Sequence, residues 1–262
     1  MSANTPETGR HRLMLPDGRA LELNWASQTD TGRRRDVNQD ALLARFPIFA
    51  VADGMGGHDA GEIASAAVVA RLSRWAAAIP LEDEGLTNAL RGAVSDMEEQ
   101  VGPSESGTGT TVTGAYFAVA DGGPRWTVFN IGDSRVYRFL DDELVQVTVD
   151  HSVVQELLSI GAITLEEADA HPQGNVITRA VGVSGDPVPD ITRVPAGVGA
   201  RWLICSDGLT KELTDYGLRH FLDAAAEPAE AVSELMEAAL ANGGRDNISI
   251  IVVDEIVRTG TL

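Results

Sequence analysis

Short apolar runs with strand character recur along the chain. They are Pro47-Ile-Phe-Ala-Val-Ala52, Trp126-Thr-Val-Phe-Asn-Ile131, Trp202-Leu-Ile-Cys-Ser206 and Asn247-Ile-Ser-Ile-Ile-Val-Val253. Ahead of them, Arg12-Leu-Met-Leu15 and Ala20-Leu-Glu-Leu-Asn-Trp25 flank Pro16-Asp-Gly18, which predicts an N-terminal hairpin within residues 1–28. The period then changes. Val68, Leu72, Trp75 and Ile79 follow helical spacing, as do Leu86, Leu90, Val94, Met97 and Val101, and again Val232, Leu235, Met236, Ala239 and Leu240. Between them, Thr110 to Val119, Trp126 to Ile131, Arg135 to Leu140 and Leu144 to Val149 read as consecutive strands of one antiparallel meander. Ser152 with Gln155 and Thr164 with Glu167 then form capping boxes, which predict two short helices in an insertion over residues 152–189. Strand signals resume at Ile191 to Val194 and Arg201 to Ser206. The order fits an α+β fold with helices packed outside a mainly antiparallel sheet system.

Length changes this picture little. At 262 residues and 44% hydrophobic content, the chain suits one domain over 1–262 with a substantial core. Charge excludes more. A formal charge of −19, with nineteen arginines against the single lysine Lys211, argues against a nucleic-acid or anionic-membrane surface. The one cysteine, Cys205, lies inside an apolar run and reads as an inert buried thiol. No apolar stretch approaches the roughly 20 residues of a membrane helix, and no leader pattern opens the sequence, so a cytoplasmic protein is expected.

The candidate chemistry lies at the strand ends. Asp53, Asp133, Asp207 and Asp246 each fall within two residues of an apolar run. Antiparallel neighbours would bring all of them to one edge, where mutual repulsion calls for a hard divalent cation. Asp17-Gly18 and Asp121-Gly122 read as ordinary turns, whereas Asp53-Gly54 and Asp207-Gly208 directly follow buried-looking strands. A glycine there would let a backbone carbonyl approach an ion.

Six words stand around these aspartates: Arg35-Asp-Val-Asn-Gln-Asp40, Ala52-Asp-Gly-Met-Gly-Gly-His58, Gly109-Thr-Thr111, Ile131-Gly-Asp-Ser-Arg135, Ser206-Asp-Gly208 and Gly244-Arg-Asp-Asn247. In that order, from about Thr29 to Val253, they resemble the metal-dependent protein phosphatases of type 2C, and most of all stand-alone bacterial members. The resemblance implies an αββα sandwich with a two-metal site, Mn²⁺ or Mg²⁺, at one end, and a flap formed by the insertion. Asp53 would bridge both ions, the Gly54 carbonyl would bind one, and Asp207 and Asp246 would complete the pair. Asp40 would act through bound water, and Asp133 would hold a third, weaker ion. Arg35 matches the phosphate-binding arginine; Arg33 and Arg34 read as solvated. Two metals would activate water and neutralise phosphoryl oxygens, so no protein nucleophile is needed, and a guanidinium fork grips two phosphate oxygens.

His58 is a candidate acid for the leaving oxygen. In eukaryotic members that group directly follows Asp-Gly, whereas Met55-Gly-Gly57 intervenes here, and a packed histidine is the other reading. Gln39 stands where many members carry glutamate, which implies altered metal affinity. His151 reads as structural, and Asn247 as orienting Asp246. The implied function is hydrolysis of phosphoserine and phosphothreonine in proteins, the substrates of a bacterial serine/threonine kinase, by a monomer. A phosphatase of one regulatory partner and a non-catalytic binding module are the alternatives.

Overall fold

The computed structural model describes residues 5–56, 60–77, 81–101, 108–120, 123–169, 171–183 and 185–258. The chain runs β1 (Glu7–Met14), β2 (Ala20–Asp30), β3 (Asp40–Arg45), β4 (Ile48–Met55), α1 (Ala60–Trp75), α2 (Asp83–Val101), β5 (Gly109–Thr110), β6 (Val112–Ala120), β7 (Gly123–Ile131), β8 (Arg135–Leu140) and β9 (Glu143–Gln146). It continues through α3 (Val153–Ser159), α4 (Leu165–Asp169), β10 (Asp190–Pro195), β11 (Arg201–Cys205), α5 (Asp207–Thr210), α6 (Asp215–Ala224), α7 (Pro228–Asn242) and β12 (Ile248–Arg258). The first sheet has the order β1-β2-β12-β11-β8-β9 and the second β10-β7-β6-β4-β3, with β5 paired to β4; every pairing is antiparallel.

The apolar runs are continuous because their strands are buried on both faces. In β4, Ile48, Ala50 and Ala52 pack under α1 and α2, while Phe49 and Val51 face the other sheet. In β12, Ile248, Ile250 and Val252 pack under α5, α6 and α7, while Ile251 and Val253 face inward. A period of two thus divides each strand between two apolar layers. Three such layers, helix on sheet, sheet on sheet and sheet on helix, make the αββα sandwich.

Local signals explain several boundaries. The Leu15–Arg19 turn closes with Gly18 at φ +83°, and Asp17 accepts the Arg19 N–H at 3.0 Å. Thr164 and Glu167 close both arms of their capping box, and Ser152 Oγ accepts the Gln155 N–H. Ile79 lies outside the described residues.

Two readings need correction. The expected meander breaks after β7, because β7 and β8 belong to different sheets and the chain crosses between them at Gly132-Asp-Ser134. Strand propensity cannot say which strands pair. Gly132 has φ +115°, and a Cβ there would lie 2.6 Å from the Thr111 side chain, so the crossing needs glycine. The strand expected through Val149 ends as β9 at Gln146. β3 drew no reading along the chain, since its Ala and Leu favour helix, and it becomes a strand by pairing along β4.

Glu255 ties the layers together. Its buried Oε1 accepts the indole N–H of Trp126 from the second sheet at 2.5 Å and of Trp202 from the first at 3.0 Å. Its Oε2 accepts the N–H groups of Gly197 and Val198. Truncation would strand four donors, three of them on buried residues. Glu255→Ala is expected to lower unfolding free energy by about 3 kcal/mol in urea titrations; a loss under about 1 kcal/mol would contradict the clamp.

Candidate metal centre

Asp40 opens β3 and Asp53 lies near the end of β4, and the two are direct register partners. Like charges placed opposite one another in an antiparallel pair repel. Both carboxyls are buried, and burial is the main cause that pushes Asp40 up to about 7 and Asp53 well above the usual carboxylate range. The charges of Asp40, Asp207, Asp133 and Asp246 raise Asp53 further. Burial, followed by the charge of Asp207, likewise lifts Asp133 to about 7. Five carboxylates therefore converge at one end of the sandwich, three from the second sheet's strands or their ends and two from the first.

Backbone contacts fix their places. The Asp53 N–H donates to Thr111 Oγ1, and the Asp53 carbonyl accepts from Thr111 N and Thr110 Oγ1. Thr111 Oγ1 also stands 2.9 Å from Ser134 Oγ, beside Asp133. Ser206 Oγ donates to Asp40 Oδ2 at 2.8 Å, joining the residue before Asp207 to the other sheet. Gly54 and Gly208 are demanded by close backbone packing. A Cβ on Gly54 would lie 2.1 Å from the Gly61 carbonyl, and one on Gly208 would lie 1.9 Å from that of Asn247. That requirement is separate from the ion approach expected of the Asp-Gly pairs.

Asn247 does more than orient its neighbour. Its N–H donates to Asp246 Oδ1, its Oδ1 accepts the Gln39 N–H, and its Nδ2 donates to the carbonyls of Thr31 and Val37. The loop that carries Arg35 and leads into Asp40 is thereby stapled to the loop that carries Asp246. Arg35 forks onto Asp246, with Nε 2.8 Å from Oδ1 and Nη2 3.1 Å from Oδ2, while its side chain stays 50% exposed. Arg33 is exposed as expected, and its Nε also donates to the Leu240 carbonyl. Lys211, overlooked as a site residue, pairs with Asp207 Oδ2 and stands 3.4 Å from Asp246 Oδ2. Its i,i+4 spacing from Asp207 was the signal in the sequence that could have placed it. His151 is structural as expected: its Nδ1 accepts the Gly132 N–H, and its own N–H donates to the Gly132 carbonyl. His58 lies outside the described residues.

Among the described residues no three His, Cys, Asp or Glu side chains are closed into a ligand cluster as they stand. Arg35 and Lys211 instead hold Asp246 and Asp207 in ion pairs. The donor set still fits a hard divalent ion. Asp40 Oδ1 and Asp207 Oδ1 are buried oxygens without a hydrogen-bond partner, and all five side chains offer anionic oxygen. A cation would relieve both the orphaned oxygens and the repulsion that raises Asp53.

Comparison with known proteins gives the same outline. The sequence profile of the family Protein phosphatase 2C matches residues 28–242. The serine/threonine protein phosphatase PstP of Mycobacterium tuberculosis is 41% identical over 241 residues, covering 90% of this chain and 46% of that protein, so the chain spans about half its length. The serine/threonine phosphatase stp of Listeria monocytogenes is 35% identical over 240 residues, covering 87% of this chain and 94% of that one. The solved catalytic domain of PstP in complex with two manganese ions superposes with a TM-score of 0.79 at 36% identity, covering 90% of this chain and 99% of that chain. Two antiparallel sheets between helix layers, carboxylates gathered at one end, and a profile match across most of the sequence lead to one conclusion: the chain belongs to the protein phosphatase 2C family.

Proposed function

We propose that this chain is a metal-dependent phosphatase that hydrolyses phosphoserine and phosphothreonine in proteins, using Mn²⁺ or Mg²⁺. The observation that carries the reading is the meeting of five buried or half-buried aspartates, two with orphaned oxygens, beside a half-exposed arginine fork. In this reading Asp53, Asp207 and Asp246, with the Gly54 carbonyl, hold two ions. Asp40 orients water, and Asp133 serves a third, weaker ion. When bound, such ions acidify water and neutralise phosphoryl oxygens.

The chain's own residues supply the positioning. Arg35 exchanges Asp246 for two oxygens of the substrate phosphate, a swap its exposure permits and its planar fork suits. Asn247 keeps the Arg35 loop in register with Asp246 while this happens. The segment 152–189, a flap in this reading, borders the site through Val181, which bridges to Thr110 beside the Asp53 carbonyl. It is anchored to the rest of the fold by the Thr110–Val181 bridge and the Arg91–Asp186 ion pair, while the Ser152–Ile177 bridge closes it on itself. The substrates are expected to be those of a serine/threonine kinase of the same cell, met in the cytoplasm by a monomer. No helix among the described residues is long and apolar enough to cross a membrane.

Chelation is expected to abolish phosphopeptide hydrolysis, and added Mn²⁺ to restore it; activity that survives chelation would overturn the reading. Asp53→Asn and Asp246→Asn should each lower kcat by about 100-fold or more, since each removes a ligand charge; full turnover in either would remove it from the site. Arg35→Ala should raise KM for a phosphopeptide about tenfold with little change in kcat. An unchanged KM would contradict the phosphate role.

A further inference from the structure

Lys211 is the only lysine in the chain, and it stands where the carboxylates meet. It follows α5 directly, four residues after Asp207, so helical geometry keeps its side chain on the same face as that aspartate. Its ammonium ion-pairs with Asp207 Oδ2 and lies 3.4 Å from Asp246 Oδ2. The remaining Asp246 oxygen is shared by Arg35 Nε and the Asn247 N–H, while Asp207 Oδ1 is orphaned. Lys211 therefore neutralises the same two carboxylates that would receive a divalent ion. Its side chain is 32% exposed, so the flexible four-carbon stem has a route into solvent.

Two cations cannot share those oxygens without cost. Even at a generous effective dielectric, a unit charge about 5 Å from a divalent ion opposes it by enough to weaken binding tenfold or more. We propose that Lys211 is a built-in competitor for the metal site: its ammonium leaves Asp207 and Asp246 when a divalent ion binds, and its charge lowers the affinity for that ion. This rests on reading Asp207 and Asp246 as metal ligands. Its consequence is a site that exchanges metal more readily than its five carboxylates alone would allow.

The test is Mn²⁺ titration calorimetry on the chelator-treated full chain, comparing wild type with Lys211→Met and Lys211→Arg. Lys211→Met is expected to bind about tenfold tighter, and Lys211→Arg to stay within about threefold of wild type, since it keeps the charge. Equal or weaker binding by Lys211→Met overturns the inference, and so does equal tightening by Lys211→Arg. If wild type binds Mn²⁺ but Lys211→Met is unchanged, only the competitor role falls. If none of the three binds Mn²⁺, the metal reading falls with it. A second measurement needs no variant. Because Lys211 is the sole lysine, its acetylation by an amine-reactive reagent can be followed by peptide mass spectrometry. Saturating Mn²⁺ is expected to speed that labelling severalfold, and unchanged or slower labelling would overturn the displacement.

Discussion

Holding five carboxylates at one end of a low-dielectric sandwich is the demand to which the surrounding structure answers. Asp40 and Asp53 face each other across a strand pair, and burial together with their neighbours' charges raises the cost of ionising either. Such an arrangement persists only if other parts of the fold over-determine it. Two cationic side chains, Arg35 and Lys211, lie directly on Asp246 and Asp207, and Ser206 contributes a hydroxyl to Asp40. These contacts offset part of the repulsion and leave two anionic oxygens, on Asp40 and Asp207, still without partners.

Rigidity comes from the layers behind. Strands buried on both faces cannot shift register without moving apolar side chains from one packed layer into another. The Glu255 clamp fixes the two sheets to each other through Trp126 and Trp202 at some remove from the carboxylates. At the site itself, Ser206 to Asp40 and Asn247 to Gln39 cross between the same two sheets. The close approaches at Gly54 and Gly208 leave no room for a side chain, so the backbones that carry Asp53 and Asp207 are seated against α1 and against Asn247, the residue before β12. The result is a group of carboxylates whose positions depend on both sheets at once, which suits a site that holds ions at a fixed separation.

Much of this was legible along the chain. Apolar runs announced buried strands, the Pro16-Asp-Gly18 turn announced the hairpin, and capping boxes placed α3 and α4. The six motif words located all five aspartates. What stayed hidden depends on contacts distant in sequence. β3 went unread because Ala and Leu reveal nothing of the partner that makes them a strand. β7 and β8 read as neighbours because nothing local records the crossing at Gly132. The bond from exposed Arg33 to the Leu240 carbonyl also went unread, because that acceptor lies far along the chain.

The sequence by itself determined the periods, the turns and the order of the chemical words, and with them the family, because those depend on residue type and spacing within a few positions. Only the tertiary structure decided which strands share a sheet, that the glycines of both Asp-Gly pairs answer to backbone packing, and that Asn247 staples the two site loops. It also decided that the single lysine sits between Asp207 and Asp246. The reason is physical. Apart from the Lys211–Asp207 pair, which is local, each of these facts is a contact between groups far apart in the chain, set by how three apolar layers close, and no local pattern encodes the partner.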